Sequence, residues 1–228
     1  MFFTFDKNPK RAAIQLQYQL NLATTWFHRW KIKINPTKTV GILFGRSNTT
    51  HIPPLLLDNH PVTWSNHAKY LGVTIGRKLT FDKHVQDIPK KATRVLGILY
   101  PILNRSSPVP KSSKLNILKL YVSPILSYAG PSWAPFIGPS HWKSIESVQN
   151  IGIRTITGMP TIVKNSVLLK SANFKSIKNS IHSQSKSMFY KNSFSIHAHI
   201  RLLGKSHTPP TTKRRIKPYP LTWVDQQI

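Results

Sequence analysis

The chain has 228 residues, 39% of them hydrophobic, and carries 33 Lys and Arg against six acids, Asp6, Asp58, Asp82, Asp87, Glu146 and Asp225, for a formal charge of +27. This length and composition can build a real core, but so few carboxylates leave most cations unpaired, so the expected counter-charge is an external polyanion, nucleic acid before an anionic membrane. The absence of cysteine excludes disulfides, thiol catalysis and cysteine-bound zinc. No apolar run approaches the ~20 residues of a spanning helix, and Met1-Phe2-Phe3-Thr4-Phe5 lacks the basic leader of a secretory signal.

Asn8-Pro9 is a helix start, with Ala13, Leu16, Leu20, Ala23, Phe27 and Trp30 recurring at three and four as one apolar stripe. Tyr18 and Trp26 fall off it, and the tryptophans are read as core. Lys31-Ile32-Lys33-Ile34 alternates until Asn35-Pro36 breaks it, and residues 39–44 read as a strand. Residues 55–57 and 62–64 flank a turn at Asp58-Asn59-His60-Pro61. In residues 68–81, AKYLGVTIGRKLTF, Lys69, Leu71, Val73 and Ile75 alternate with Tyr70, Gly72 and Thr74, as along one strand. A turn at Gly76-Arg77-Lys78 and a return through Leu79 and Phe81 make this a basic-tipped hairpin.

From Asp82 onward the pattern is helical. Ala92, Val95, Leu96, Leu99 and Leu103 form a stripe with Lys90, Lys91 and Arg94 mostly opposite, and Pro89 sits in the first turn or at a kink. Ser112 or Ser113 caps a second helix carrying Leu115, Leu118, Val122 and Ile125, bent or ended near Pro124. Pro139-Ser140 opens a third with Trp142, Ile145, Val148 or Gln149, Gly152 and Ile156, closed by Gly158-Met159-Pro160. Weaker amphipathic patterns span 166–172, 177–190 and 194–203, with Gly204 as a stop. His197 and His199, two apart, would point to different helix faces and suggest no metal site. The expected fold is α+β: short β-hairpins and one long helix over residues 1–81, an α-helical bundle over 82–204, and a basic, proline-rich, disordered tail over 205–228.

Three stretches, in order, resemble the C-terminal part of the reverse transcriptases of jockey-like non-LTR retrotransposons. Residues 30–40, WKIKINPTKTV, are similar to the palm segment after the paired catalytic aspartates, and residues 68–81 resemble the primer-grip hairpin with its Tyr70-Leu71-Gly72 core. LGILYPILNRSS (96–107) and LKLYVSPILSYAGPSWA (118–134) are similar to the helical thumb, so the likeness runs over roughly residues 8–204. Full-length members of that family copy RNA into DNA with palm carboxylates holding two Mg2+. Here only Phe5-Asp6 stands near the aspartate motif, without a second aspartate, and no other acid is paired. The resemblance therefore implies a trailing palm edge, primer grip and thumb without catalytic residues, inactive alone, whose Mg2+ belongs to the full-length enzyme. The apolar strand surface left without the rest of a palm should be exposed.

By the same resemblance, Tyr70, Leu71 and Gly72 would meet the primer terminus, with Lys69, Arg77, Lys78 and Lys33 on phosphates. Lys90, Lys91 and Arg94 would follow a template–primer hybrid along its minor groove, a solvated helix face being the equal alternative. Lys38 is a candidate general acid toward pyrophosphate, with a solvated turn lysine the competing assignment. The implied partners are RNA/DNA template–primer, element RNA and the upstream palm and fingers, with no membrane, in a nuclear or cytoplasmic ribonucleoprotein. The alternative is a self-contained basic nucleic-acid-binding or ribonucleoprotein module; a nuclease is disfavoured for want of clustered acids.

Overall fold

The computed structural model describes residues 1–45 and 52–201, an α+β chain in two compact units, Met1–Thr80 and Phe81–Ile228. The first unit starts with α1 (Pro9–Arg29), where Asn8 Oδ1 accepts the Lys10 N–H at 2.9 Å and Pro9 occupies the first turn. Ala13 and Leu20 on its inner face pack against Leu55, Leu57 and Val62. These last belong to a sheet of order β1-β3-β2, in which β3 (His60–Trp64) runs parallel to β1 (Val40–Gly41) and antiparallel to β2 (Leu55–Leu57). The Gln17 side chain serves the outer strand: its Oε1 accepts the Leu56 N–H at 2.7 Å and its Nε2 donates to the Leu56 carbonyl at 2.9 Å. A side-chain amide thereby satisfies backbone groups that an edge strand otherwise presents to solvent.

Several expectations change here. The β2–β3 connection is the pair Asp58-Asn59, both at positive φ (53° and 60°), so pairing starts at His60, earlier than Val62. The strand expected over 39–44 contracts to two residues, because a bridge to β3 exists only at Val40 and Gly41. Trp26 and Trp30 are not core: they lie 52% and 64% exposed. Three short strands cover less length than a helix of 21 residues, so the stripe outruns the surface available to bury it.

The second unit is helical. Its longest helix, α2 (Asp82–Leu103), buries Val85, Ile88, Ala92, Leu96 and Leu103, and contains Pro89 in its interior instead of its first turn. Residues 111–127 are continuously helical: α3 (Lys111–Ile117), a π turn (Leu118–Val122) and α4 (Ser123–Ser127). The run starts after Pro110, not at Ser112 or Ser113. Pro124 supplies no N–H and its ring crowds the carbonyl four residues back, and the wider turn ahead of it relieves both problems without ending the helix. Buried Lys114 donates from Nζ to the Asn104 and Ser107 carbonyls at 2.7 and 2.9 Å, closing the C-terminal end of α2.

After α5 (Gly130–Trp133), helix α6 (Pro139–Thr157) ends as expected at Gly158, with φ 71° and its N–H on the Arg154 carbonyl at 2.7 Å. Trp133 is fully buried beside Trp142 and donates from Nε1 to the Tyr128 carbonyl at 2.8 Å. The buried Gln149 amide bonds the Lys175 carbonyl and the Ile177 N–H, fixing the start of α8 (Ile177–Ser193), which follows α7 (Asn165–Ser171). The expected 194–203 helix is confined, among described residues, to α9 (Ala198–Arg201), and the 205–228 tail lies outside them.

Candidate nucleic-acid interface

In residues 68–81 the chain reverses earlier than its alternation suggests. β4 (His67–Tyr70) and β5 (Val73–Gly76) pair antiparallel with Tyr70 opposite Val73 and Lys69 opposite Thr74. Leu71 and Gly72 form the turn, at φ 45° and 80°. Positive φ at both central residues gives the twist a tight hairpin needs, free for glycine but costing leucine about 1 kcal/mol. The basic-tipped hairpin is thus corrected to one tipped by Tyr70-Leu71-Gly72, with Tyr70 47% and Leu71 73% exposed. Gly76-Arg77-Lys78-Leu79 makes a second turn, closed by Leu79 N–H to the Gly76 carbonyl at 2.8 Å, and neither Leu79 nor Phe81 lies on a strand.

The reversal redistributes the candidates. Lys69 shares a face with Thr74, and Tyr70 shares the other with Val73, so adjacent Lys69 and Tyr70 cannot lie flat on one ligand surface together. Arg77 is half-buried, its N–H on the Asn66 carbonyl and its own carbonyl on the Gly45 N–H, whereas Lys78 is exposed. Lys33 is exposed on the segment after α1. Lys38 ends a short 3-10 turn, Pro36–Lys38, that Asn35 holds by accepting from the Thr37 hydroxyl at 2.6 Å and the Lys38 N–H at 3.3 Å. That fixes the Lys38 backbone and leaves the residue exposed, in no ion pair among the described residues.

On α2, Lys90, Lys91 and Arg94 are all exposed, opposite the buried stripe as expected. Lys83 joins them. It precedes Lys90 by seven residues and Arg94 by eleven, spacings that return to one helix face, so it was legible in the sequence and missed. The four cations extend over about 16 Å of helix axis. The acid on this face is Asp87, whose Oδ1 is 3.9 Å from Lys90 Nζ, an exposed pair worth ~0–1 kcal/mol.

Among the described residues the acids do not converge. Asp58 hydrogen-bonds His28 Nε2 at 3.0 Å, Asp6 accepts the Asn8 N–H at 2.7 Å, Asp82 and Asp87 lie on different sides of α2, and Glu146 is on α6. Burial raises the Glu146 carboxyl above its ordinary range, opposed by nearby Lys178 and its backbone N–H. Among the described residues no three His, Asp or Glu side chains are grouped as ligands of one metal ion.

No family model matches the chain, and no solved structure is significantly similar. It is 34% identical over 160 residues, 70% of its length, to a probable RNA-directed DNA polymerase from transposon X-element of Drosophila melanogaster. It is 27% identical over 207 residues (90% of the chain) to that of transposon BS and 30% identical over 158 (69%) to the RNA-directed DNA polymerase from mobile element jockey, both of the same fly. Each match is longer than either compact unit, so each extends into both. The chain spans 17–22% of the length of these relatives. By descent, then, it belongs with the jockey-like retrotransposon RNA-directed DNA polymerases, as the counterpart of about a fifth of their length.

Proposed function

We propose that this chain supplies the part of a jockey-like reverse transcriptase that holds template–primer: residues 1–80 as a trailing palm edge with primer grip, α2 and the helices after it as the thumb. The observation that carries this is the row of Lys83, Lys90, Lys91 and Arg94 on the solvent face of α2, in a chain whose matches to RNA-directed DNA polymerases extend into both units. Ammonium and guanidinium groups so aligned bind phosphates by counterion release, without reading sequence. The exposed Tyr70 ring offers a stacking surface, and Gly72, without a Cβ, lets a nucleic-acid strand approach the backbone. Nucleotidyl transfer through two metal ions needs paired carboxylates that these dispersed acids do not provide, so in this reading the chemistry resides in other parts of the polymerase.

The test is binding of an RNA/DNA hybrid primer–template against single strands of the same sequence at matched salt. Preference for hybrid, reduced by Lys69→Ala and by Tyr70→Ala as a strand wrapped over the hairpin tip would require, is expected, the tyrosine losing ~1–3 kcal/mol if it stacks. Indifference to duplex form, unchanged in both variants, would make the chain a generic basic module, the reading its charge of +27 alone supports.

A further inference from the structure

The outer face of α1 carries Ile14, Tyr18, Leu22 and Trp26, one every four residues, exposed by 64, 65, 56 and 52%. Together they make an apolar ridge about 18 Å long on a helix whose other face already packs on the sheet. The N-terminal segment is tied to this helix, Thr4 Oγ1 hydrogen-bonding Gln15 at 2.8 Å, and Met1, Phe3 and Phe5 on it are largely exposed. A continuous patch of this kind marks an interaction surface.

The charges around the ridge define its occupant. Helix α1 contains no acid; Lys10 and Arg11 occupy its first turn, His28 and Arg29 its last. Cations at the C-terminal end suit the helix dipole, but those at the N-terminal end oppose it, at a position where carboxylates are favoured. A second copy of the chain is a poor fit, since antiparallel pairing sets Arg11 against Arg29 and parallel pairing sets each against itself. A nucleic-acid strand is also a poor fit, because it presents a phosphate about every 3.4 Å of rise, whereas the middle of the ridge is Tyr18, Leu22 and neutral Gln15 and Gln19. We infer that this face docks an acidic amphipathic helix of a protein partner, with apolar residues at i and i+4 laid across the ridge and carboxylates at its ends on Lys10, Arg11 and Arg29.

The inference is independent of template–primer binding and is tested separately. The probe is a fluorescein-labelled synthetic helical peptide with leucine at every fourth position and glutamates flanking, alongside a scrambled peptide of the same composition. Anisotropy with the full chain should show the amphipathic peptide binding about tenfold or more tighter than the scramble, and Leu22→Glu or Leu22→Gln weakening it by a similar factor, as expected for an apolar contact of this size. Hybrid binding by the same variants should be unchanged, so failure of one reading leaves the other standing. Equal binding of both peptides, no binding, or insensitivity to Leu22 overturns the proposal. So does displacement of the peptide by single-stranded RNA, which would make the ridge a nucleic-acid site, or Leu22-dependent self-association in sedimentation, which would assign it to a second copy.

Discussion

Replacing Lys90, Lys91 and Arg94 together by alanine separates a thumb-like face from a merely solvated one. All three side chains are exposed, so the fold should lose no more than about 0.5 kcal/mol. If each neutralises a phosphate, the slope of log affinity against log salt falls by about 0.9 per contact, about 2.7 for three. Lys90 shares its charge with Asp87 at 3.9 Å, which brings the count between two and three full contacts. Over a salt increase from about 50 to 200 mM, the ratio of affinities should therefore shrink by about 12- to 40-fold relative to the unmodified chain. The assay is hybrid binding by anisotropy at both salts, with Lys164, Lys170 and Lys175, also exposed, replaced by alanine as a charge-matched control. An unchanged salt ratio, or an equal change in the control, refutes the assignment, because net charge alone would then account for the binding.

Three further outcomes test the packing and electrostatics. Trp133→Ala, at a fully buried ring whose Nε1 bonds Tyr128, should cost about 3–5 kcal/mol, read as a lowered urea midpoint. Lys114→Met keeps the aliphatic stem but strips the Asn104 and Ser107 carbonyls of their donor, and should cost about 1–3 kcal/mol by the same measurement. Glu146 has a carboxyl raised above 4.5 by burial, so the folded state binds more protons than the unfolded in that window: stability should rise as pH falls through the folded value toward 4.5, and Glu146→Gln should abolish that component in unfolding curves taken across acid pH.

The helices were legible because their signals are local. Asn8-Pro9 starts α1, Gly158 ends α6, and the apolar residues of α2 recur at helical spacing on the face that is buried. The π turn before Pro124 was readable only as a bend, since sequence marks the missing N–H but not whether the helix widens or stops. Where a signal depended on what lay opposite, it failed. Trp30 continues the α1 stripe in sequence and yet is exposed, because burial is decided by the length of the sheet beneath, a tertiary property.

The hairpin shows most clearly why periodicity can mislead about a site. A turn of two residues leaves the count of alternation intact while reversing the chain, so Lys69 and Val73, both odd in the pattern, end on opposite faces of the ladder. What separates a strand from a hairpin here is Gly72, the residue able to take φ 80° without strain, next to a leucine that has to accept φ 45°. Reading Gly72 as a turn and not as a gap in the strand moves the tip from Arg77-Lys78 to Tyr70-Leu71-Gly72, and so changes the chemistry expected there from a phosphate clamp to an aromatic and backbone platform. Lys69 then acts from one face of the ladder and Tyr70 from the other, which predicts that a ligand lying on one face will sense only one of the two substitutions, and that only a strand wrapped over the tip will sense both.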